Sequence, residues 1–170
     1  MNNAEKLWIM KLCPPSGINS FESCRKKKVV GFGWGIGKQP KDITYTEYAA
    51  AAKAKYKGYR GITQLLNGFQ EIVDNPGKHL IWVMDFSTRV FYLCAPTGEY
   101  RYSSNKRMEQ AGIVNTISCE FHKIGFKGIV PNIIANGFAT KTTLRKIEDE
   151  NALYVSKCFL ELIKNDRLPK

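Results

Sequence analysis

The passage that begins at Gly77 constrains the fold of this 170-residue chain more than any other. An apolar run around Trp82 is followed by a polar turn, a second apolar run over 91–94, and a tyrosine-rich phrase over 98–102. Three strands within about 25 residues predict an antiparallel meander, an arrangement that curls into a small barrel.

The rest of the chain predicts further strands and helices around this meander. Apolar alternation and glycine content predict strands over 5–12, 29–36 and 112–124. Helices are predicted over 46–56 with Thr46 as the N-cap, over 62–73, and from Thr142 or Thr143 onward, whereas 13–28 and 103–109 are predicted as loops. The sequence therefore predicts one α+β domain over residues 1–170, with a curved antiparallel sheet or small barrel of about five or six strands flanked by helices.

The charge of the chain favours a polyanionic partner. The formal net charge is +11, from 26 basic and 15 acidic residues. Basic residues cluster at 25–28, 53–60, 101–107 and 123–127. Such an excess is typical of nucleic-acid-binding domains, and the alternative is that it serves solubility alone.

The cysteines and histidines predict neither disulfides nor a metal site. The five cysteines are widely spaced, their number is odd, and the two histidines, His79 and His122, lie far apart in the sequence. No apolar run approaches the 18 residues that a transmembrane helix needs. We expect a soluble, cytoplasmic protein that uses no cofactor and does not contact a membrane.

Several phrases along the chain resemble one family of domains. The matching pieces are Trp8 with Lys11, the phrase Gly31-Phe32-Gly33-Trp34-Gly35, and the segments 77–83, 91–93, 98–102, 113–124 and 138–144. In this order they are similar to PUA-like and EVE-type domains, and most similar to the N-terminal DNA-reading domains of modification-dependent restriction enzymes. The sequence departs from the usual pattern at Lys78-His79, where an acidic residue is common, and at Gly35-Ile36-Gly37, where an arginine-asparagine phrase is common.

This resemblance implies a module that recognises a methylated or hydroxymethylated base by flipping it out of duplex DNA. Flipping costs a few kcal/mol of stacking and pairing, and stacking on an aromatic side chain returns about 1–3 kcal/mol. The candidate base-pocket residues are Phe32, Trp34, Tyr100, Tyr102, Asn115 and Trp8. For each aromatic residue the alternative is a place in the hydrophobic core, and for Asn115 it is a hydrogen bond to neighbouring backbone.

The basic clusters supply candidate phosphate contacts. These are Arg25, Lys26, Lys27, Lys28, Arg101, Lys106 and Arg107. The first four directly precede the strand that carries Trp34, so we expect them to hold phosphates near the pocket mouth. The alternative is a solvated run of charges on a loop.

The sequence favours a binding domain over an enzyme. It contains no nucleophile elbow, metalloprotease, P-loop or nuclease motif, and Cys119 and His122 are predicted on opposite faces of a strand. Any nuclease or NTPase activity is then expected in another domain or subunit of the same restriction system, with this chain as a separate reader or as the N-terminal part of a longer protein. An RNA-binding PUA-like module is the alternative function, and an enzyme subunit or protein-interaction domain is a third.

Overall fold

The computed structural model describes residues 4–12 and 19–165 and contains one curled sheet with helices on both faces. The strands are β1 (Lys6–Met10), β2 (Val29–Phe32), β3 (His79–Asp85), β4 (Val90–Tyr102), β5 (Asn115–Gly125) and β6 (Leu144–Ile147). The helices are α1 (Phe21–Lys27), α2 (Tyr45–Lys55), α3 (Ile62–Asp74), α4 (Lys106–Gln110), α5 (Asn132–Gly137) and α6 (Glu150–Lys164), with short 3-10 helices at Pro76–Lys78 and Lys127–Ile129. The predicted α+β class, with a curved sheet of about five or six strands flanked by helices, is confirmed, and the sheet has six strands.

The sheet has the strand order β2-β5-β4-β3-β1-β6 and forms a half-barrel. The pairs β3–β4, β4–β5, β2–β5 and β1–β6 are antiparallel, whereas β1 and β3 run parallel. This parallel pair differs from the purely antiparallel sheet that the sequence predicts. It places β1 beside β3 of the meander. At the far end of the sheet β2 pairs only with β5 and is an edge strand.

Both faces of the sheet are buried, as the central strand shows. All seven residues of β3 are buried. In β1 the side chains alternate, so that Trp8 and Met10 belong to a core shared with α2 and α3, while Leu7 and Ile9 belong to a second core shared with α5 and α6. The two cores lie on opposite faces of the sheet, and each face carries one candidate site.

Local signals account for where the long helices begin. Thr44 and Glu47 form a reciprocal capping box at the start of α2, in which the Thr44 hydroxyl accepts from the Glu47 N–H and the Glu47 carboxylate accepts from the Thr44 N–H. The predicted N-cap was Thr46, so the helix begins earlier than expected. Asp149 caps α6 by accepting from the Ala152 N–H at 2.7 Å.

Three segments differ from their predicted structure. Part of the predicted loop 13–28 is helix α1, although 13–18 lies outside the described residues. The predicted loop 103–109 contains α4, and the predicted strand 29–36 ends at Phe32. The chain therefore leaves the sheet before Trp34.

The C-terminal prediction is wrong in a similar way. The segment over 144–147 is β6 and pairs with β1, because its apolar residues Leu144 and Ile147 pack at the sheet edge before Asp149 starts the helix. The tyrosine-rich phrase is not a third meander strand but the continuation of β4, beyond a register shift between Pro96 and Tyr100. Within the described ranges, no helix combines the length and apolar character needed to cross a membrane.

Candidate nucleic-acid interface

The candidate site is the segment 33–37 that follows β2, called here the glycine loop. It has no regular secondary structure, yet it lies against the sheet: a Cβ built on Gly33 would be 3.5 Å from the Gly112 carbonyl oxygen, and one on Gly35 would be 3.8 Å from the Tyr102 hydroxyl. Both distances are ordinary van der Waals contacts, so the loop packs on these neighbours without strain at either glycine.

Side chains of α2 and of its C-cap residue hold one side of the backbone of the glycine loop. The Tyr48 hydroxyl donates to the Trp34 carbonyl at 2.8 Å, and the Lys55 ammonium donates to the Gly35 carbonyl at 2.7 Å. The Tyr56 hydroxyl also donates to the Gly35 carbonyl. Since Tyr48 and Lys55 lie on α2 and Tyr56 is its C-cap residue, the loop is fixed along the length of that helix.

The sheet provides the remaining contacts to the loop. The Tyr102 hydroxyl accepts from the Ile36 N–H at 2.9 Å and donates to the Gly37 carbonyl at 2.8 Å. The Asn115 amide donates to the Gly33 carbonyl at 2.9 Å. The loop is thus held by side-chain hydrogen bonds in place of a strand ladder.

The residues that hold the loop are themselves connected. Asn115 is fully buried, and its amide oxygen accepts from the Tyr100 hydroxyl at 2.8 Å. Burial raises the pKa of Tyr48, Tyr100 and Tyr102 above the ordinary tyrosine value. Their hydroxyls therefore remain protonated at neutral pH and act as donors throughout.

Trp34 occupies the centre of the glycine loop in an unusual backbone conformation. Its φ is +68°, in the left-handed region that costs a residue with a Cβ about 1–2 kcal/mol. Its half-buried ring packs perpendicular to those of Tyr56 and Tyr59, with centroid distances of 4.8 and 5.6 Å. Because Tyr59 is 61% exposed, these three rings form an aromatic cluster that reaches the surface. Strain of this kind is concentrated at binding and catalytic sites.

The structure brings together four of the six predicted base-pocket residues, which are Trp34, Tyr100, Tyr102 and Asn115. Asn115 pairs with Tyr102 across β4 and β5 and with Phe32 across β2 and β5, so these positions form one row across the sheet. Tyr100, Tyr102 and Asn115 support the loop from beneath, and of the four only Trp34 takes part in the surface cluster. The backbone alternative that the sequence left open for Asn115 is what the structure shows.

The other two predicted pocket residues lie in the core. Phe32 is 3% exposed and packs on Tyr48 and Phe69, with a centroid distance of 5.0 Å to the latter. Trp8 is 4% exposed, and its indole N–H donates to His79 Nδ1 at 2.9 Å. This burial leaves no face of either ring for a base.

The predicted phosphate contacts fall into two groups. Lys106 and Arg107 are exposed on α4, which connects Tyr102 to the start of β5 and so lies at the same end of the sheet as the glycine loop. Arg101 is exposed but forms an ion pair with Glu99 at 2.6 Å. Among the cations that form no ion pair within the part of the chain that the structure describes are Lys106 and Arg107 on α4 and Lys55 on the neighbouring helix α2.

The second group lies away from Trp34. Lys26, Lys27 and Lys28 are exposed at the C-terminal end of α1, and Arg25 pairs with Glu22 at 3.2 Å. Because β2 then runs four residues at about 3.3 Å each, this group is separated from the glycine loop by about 13 Å. These side chains therefore do not lie beside Trp34 as the sequence predicts.

The sequence did not identify Lys55, Tyr56 and Tyr59 as part of the site. Lys53 and Lys57, which belong to the basic cluster over 53–60, are both exposed. A signal was present, since Tyr56 and Tyr59 are aromatic residues in a basic segment that ends in two glycines. They contact Trp34 only because α2 packs against the sheet, and this tertiary contact is not visible in the sequence.

Comparison with models of protein families gives no match, and neither do comparisons with curated proteins and with solved structures. The resemblance to PUA-like and EVE-type domains remains a prediction from the sequence.

Proposed function

We propose that this protein binds nucleic acid through the glycine loop, with Trp34 stacking on an unpaired base. The observation that carries the proposal is that an aromatic residue with a strained backbone is held by side-chain hydrogen bonds to every carbonyl of residues 33, 34, 35 and 37. A platform that is already ordered avoids the entropy cost of immobilising it on binding.

The preferred ligand in this proposal is duplex DNA with a methylated or hydroxymethylated base. A flipped base places its ring on Trp34, and the extra apolar area of a methyl group packs against Tyr56 or Tyr59. The phrase Gly31-Phe32-Gly33-Trp34-Gly35 supports this ligand, since it is the part of the chain that most resembles the DNA-reading domains of modification-dependent restriction enzymes. In that setting the protein is a cytoplasmic specificity module without catalytic activity, and a nuclease or NTPase acts from another domain or subunit.

The charges around the loop support a polyanionic ligand. Lys55 lies 5.2 Å from the centroid of the Tyr56 ring and donates to the loop, and Lys57 and Arg60 follow on the same exposed segment. Lys106 and Arg107 approach the same end of the sheet from α4. Phosphate contacts from these side chains give affinity and salt dependence but no preference among bases.

The test is a fluorescence-anisotropy titration of short duplexes that differ in a single base. They are unmodified or carry methylcytosine, hydroxymethylcytosine or methyladenine, and each is measured at two salt concentrations. We expect one modified duplex to bind more tightly than the unmodified one. Equal binding to all duplexes, with a steep salt dependence, would contradict base reading.

Trp34→Gly is the most informative variant. Glycine adopts a positive φ without strain, so the loop backbone is expected to keep its conformation while the stacking surface is removed. Loss of one stacking contact of about 1–3 kcal/mol weakens binding of the preferred duplex by about fivefold to 150-fold. The same loss of affinity for modified and unmodified duplexes would show that Trp34 does not read the base.

A matched pair of tyrosine variants, one in the cluster and one outside it, separates stacking from general surface effects. Tyr59 in the cluster and Tyr154 on α6 are 61% and 58% exposed, so alanine at each removes an equally accessible ring. Only Tyr59→Ala is expected to weaken binding. Lys106→Gln and Arg107→Gln should weaken all duplexes alike and reduce the slope of log K against log salt by about 1 each.

RNA is the second candidate ligand. An aromatic platform beside exposed cations also suits single-stranded RNA, whose unstacked bases need no flipping. Single-stranded RNA that binds more tightly than every duplex, with the same loss on Trp34→Gly, would favour this alternative.

A further inference from the structure

A second concave site lies on the opposite face of the sheet from the glycine loop. It is a cavity of about 370 Å³ between the turn that joins β3 to β4 and the segment that contains α5. Its lining residues are Met84, Phe86, Arg89, Phe91, Phe126, Lys127, Ala135, Phe138 and Ala139. A volume of this size is at the lower end of the range for small-molecule sites.

The floor of the cavity is apolar and largely aromatic. Phe91 and Phe138 belong to the second core and are 3% and 4% exposed, and their ring centroids are 5.6 Å apart. The Phe86 ring lies 6.3 Å from that of Phe138. At the mouth, Phe126 is 66% exposed, an unusual position for so large an apolar side chain. Phenylalanine rings at these angles suit a planar ligand ring in edge-to-face contact.

Three cations surround this apolar floor. Arg89 and Lys127 line the cavity, and Lys11 lies 5.7 Å from the centroid of the Phe86 ring. The Arg89 guanidinium carbon is 6.0 Å from the same centroid. No acidic residue lines the cavity, and within residues 4–12 and 19–165 none of the three cations forms an ion pair with a carboxylate. An anion bound in the cavity would be attracted by the two cations that line it, Arg89 and Lys127.

The turn that carries Arg89 is held in place before any ligand binds. The buried Asp85 carboxylate accepts from the Ser87 N–H at 3.0 Å and from the hydroxyls of Ser87 and Thr88 at 2.6 and 2.7 Å. The Arg89 N–H donates to the Asp85 carbonyl at 2.8 Å, and Arg89 has a φ of +60°. A non-glycine residue in this conformation, at the edge of a cavity, is the kind of strain that accompanies ligand sites.

We propose that this cavity binds a nucleoside monophosphate or a ligand of that chemistry, a planar ring that carries a phosphate. The ring enters among Phe86, Phe91 and Phe138, and the phosphate lies between Arg89 and Lys127. Arginine suits this role because its guanidinium binds two phosphate oxygens at once, whereas lysine adds a point charge. The source is either a free nucleotide or the terminal nucleotide of a nucleic-acid strand, since both present the same chemistry.

The test is isothermal titration calorimetry of the whole chain with the four common nucleoside 5′-monophosphates, together with amide chemical shifts. Adenosine and inorganic phosphate are measured alongside, because they present the ring and the anion separately. We expect at least one monophosphate to bind and to shift the amides around Phe86 and Phe126, with adenosine and phosphate each about tenfold weaker or more. A 5′-phosphorylated oligonucleotide that binds more tightly than any monophosphate would identify the strand as the source.

Variants locate the site. Arg89→Asn removes the charge but keeps a residue that tolerates the left-handed region, and Lys127→Gln removes the second cation at constant length. Each is expected to weaken nucleotide binding by about tenfold or more, whereas Lys53→Gln, an exposed lysine on α2, leaves it unchanged. In Trp34→Gly the shifts that nucleotide causes around Phe86 and Phe126 should be the same as in the wild type, so failure here is distinguishable from failure of the interface on the other face. Absence of binding by all four monophosphates, or binding that Arg89→Asn does not affect, would overturn the proposal.

Discussion

Removal of one oxygen atom tests whether the glycine loop is held by tertiary hydrogen bonds. Tyr102→Phe deletes a hydroxyl that accepts from the Ile36 N–H and donates to the Gly37 carbonyl. Tyr102 is only 8% exposed, so water does not readily replace the lost partners. Two hydrogen bonds at about 1 kcal/mol each predict a loss of about 2 kcal/mol in the free energy of unfolding.

Local opening of the loop gives the sharper measurement. Because the Ile36 N–H loses its acceptor, its hydrogen-exchange rate under native conditions should rise by about 30-fold, the equivalent of about 2 kcal/mol. Amides of β3 in the centre of the sheet should change only as far as global stability does. Binding of the preferred duplex should also weaken, since Trp34 is then presented by a mobile backbone.

Tyr92→Phe is the matched control for this change. Tyr92 is half-buried and packs on Phe21 with a centroid distance of 4.9 Å, and in the described part of the chain its hydroxyl makes no hydrogen bond. Its loss should change stability by less than about 0.5 kcal/mol. If Ile36 stayed as protected in Tyr102→Phe as in the wild type, the loop would be held by something other than the hydroxyl, and the reasoning would be refuted.

Two further predictions concern the edge and the centre of the sheet. Gly31→Ala should destabilise the protein by about 3 kcal/mol or more in urea unfolding, since the new Cβ would lie 2.0 Å from the Asn115 carbonyl oxygen. Gly77→Ala is the control, because a Cβ there would have no atom within 4 Å, and it should cost far less. Equal losses of stability in the two variants would contradict the clash. Burial, and then the Lys6 charge, lower the pKa of His79, whose Nδ1 accepts from Trp8. The folded state therefore favours neutral His79. The contribution of His79 to folding stability is fully present above the unfolded pKa of about 6.5, and it is lost as the pH falls through the lower pKa of the folded state. An NMR titration of His79 that gave a pKa above 6.5 would contradict this.

The parts of the fold that sequence predicts are those whose signal is local and periodic. The apolar stripe of α3 predicts a helix over 62–73, and the structure has Ile62–Asp74. The strand β6 has only four residues, too few for a period to be visible, and the pairing that defines it comes from β1, more than 130 residues earlier in the chain. The meander prediction divides β4 into two strands, over 91–94 and 98–102, and only the cross-strand partners on β5 show that the strand continues through the register shift.

The same division applies to the candidate site. Glycines on both sides of Trp34 indicate a backbone that bends or approaches a neighbour closely, and this is a local signal that sequence provides. The residue that contacts the loop cannot be identified from local sequence, because a tyrosine hydroxyl occurs in cores, at surfaces and in hydrogen bonds to backbone carbonyls. Alternation in a strand predicts that Tyr100 and Tyr102 face the same side, and the structure shows both hydroxyls directed at the glycine loop or its support. Sequence thus predicts which residue is presented, whereas the rigidity that suits Trp34 to stacking depends on polar contacts that only the folded chain assembles.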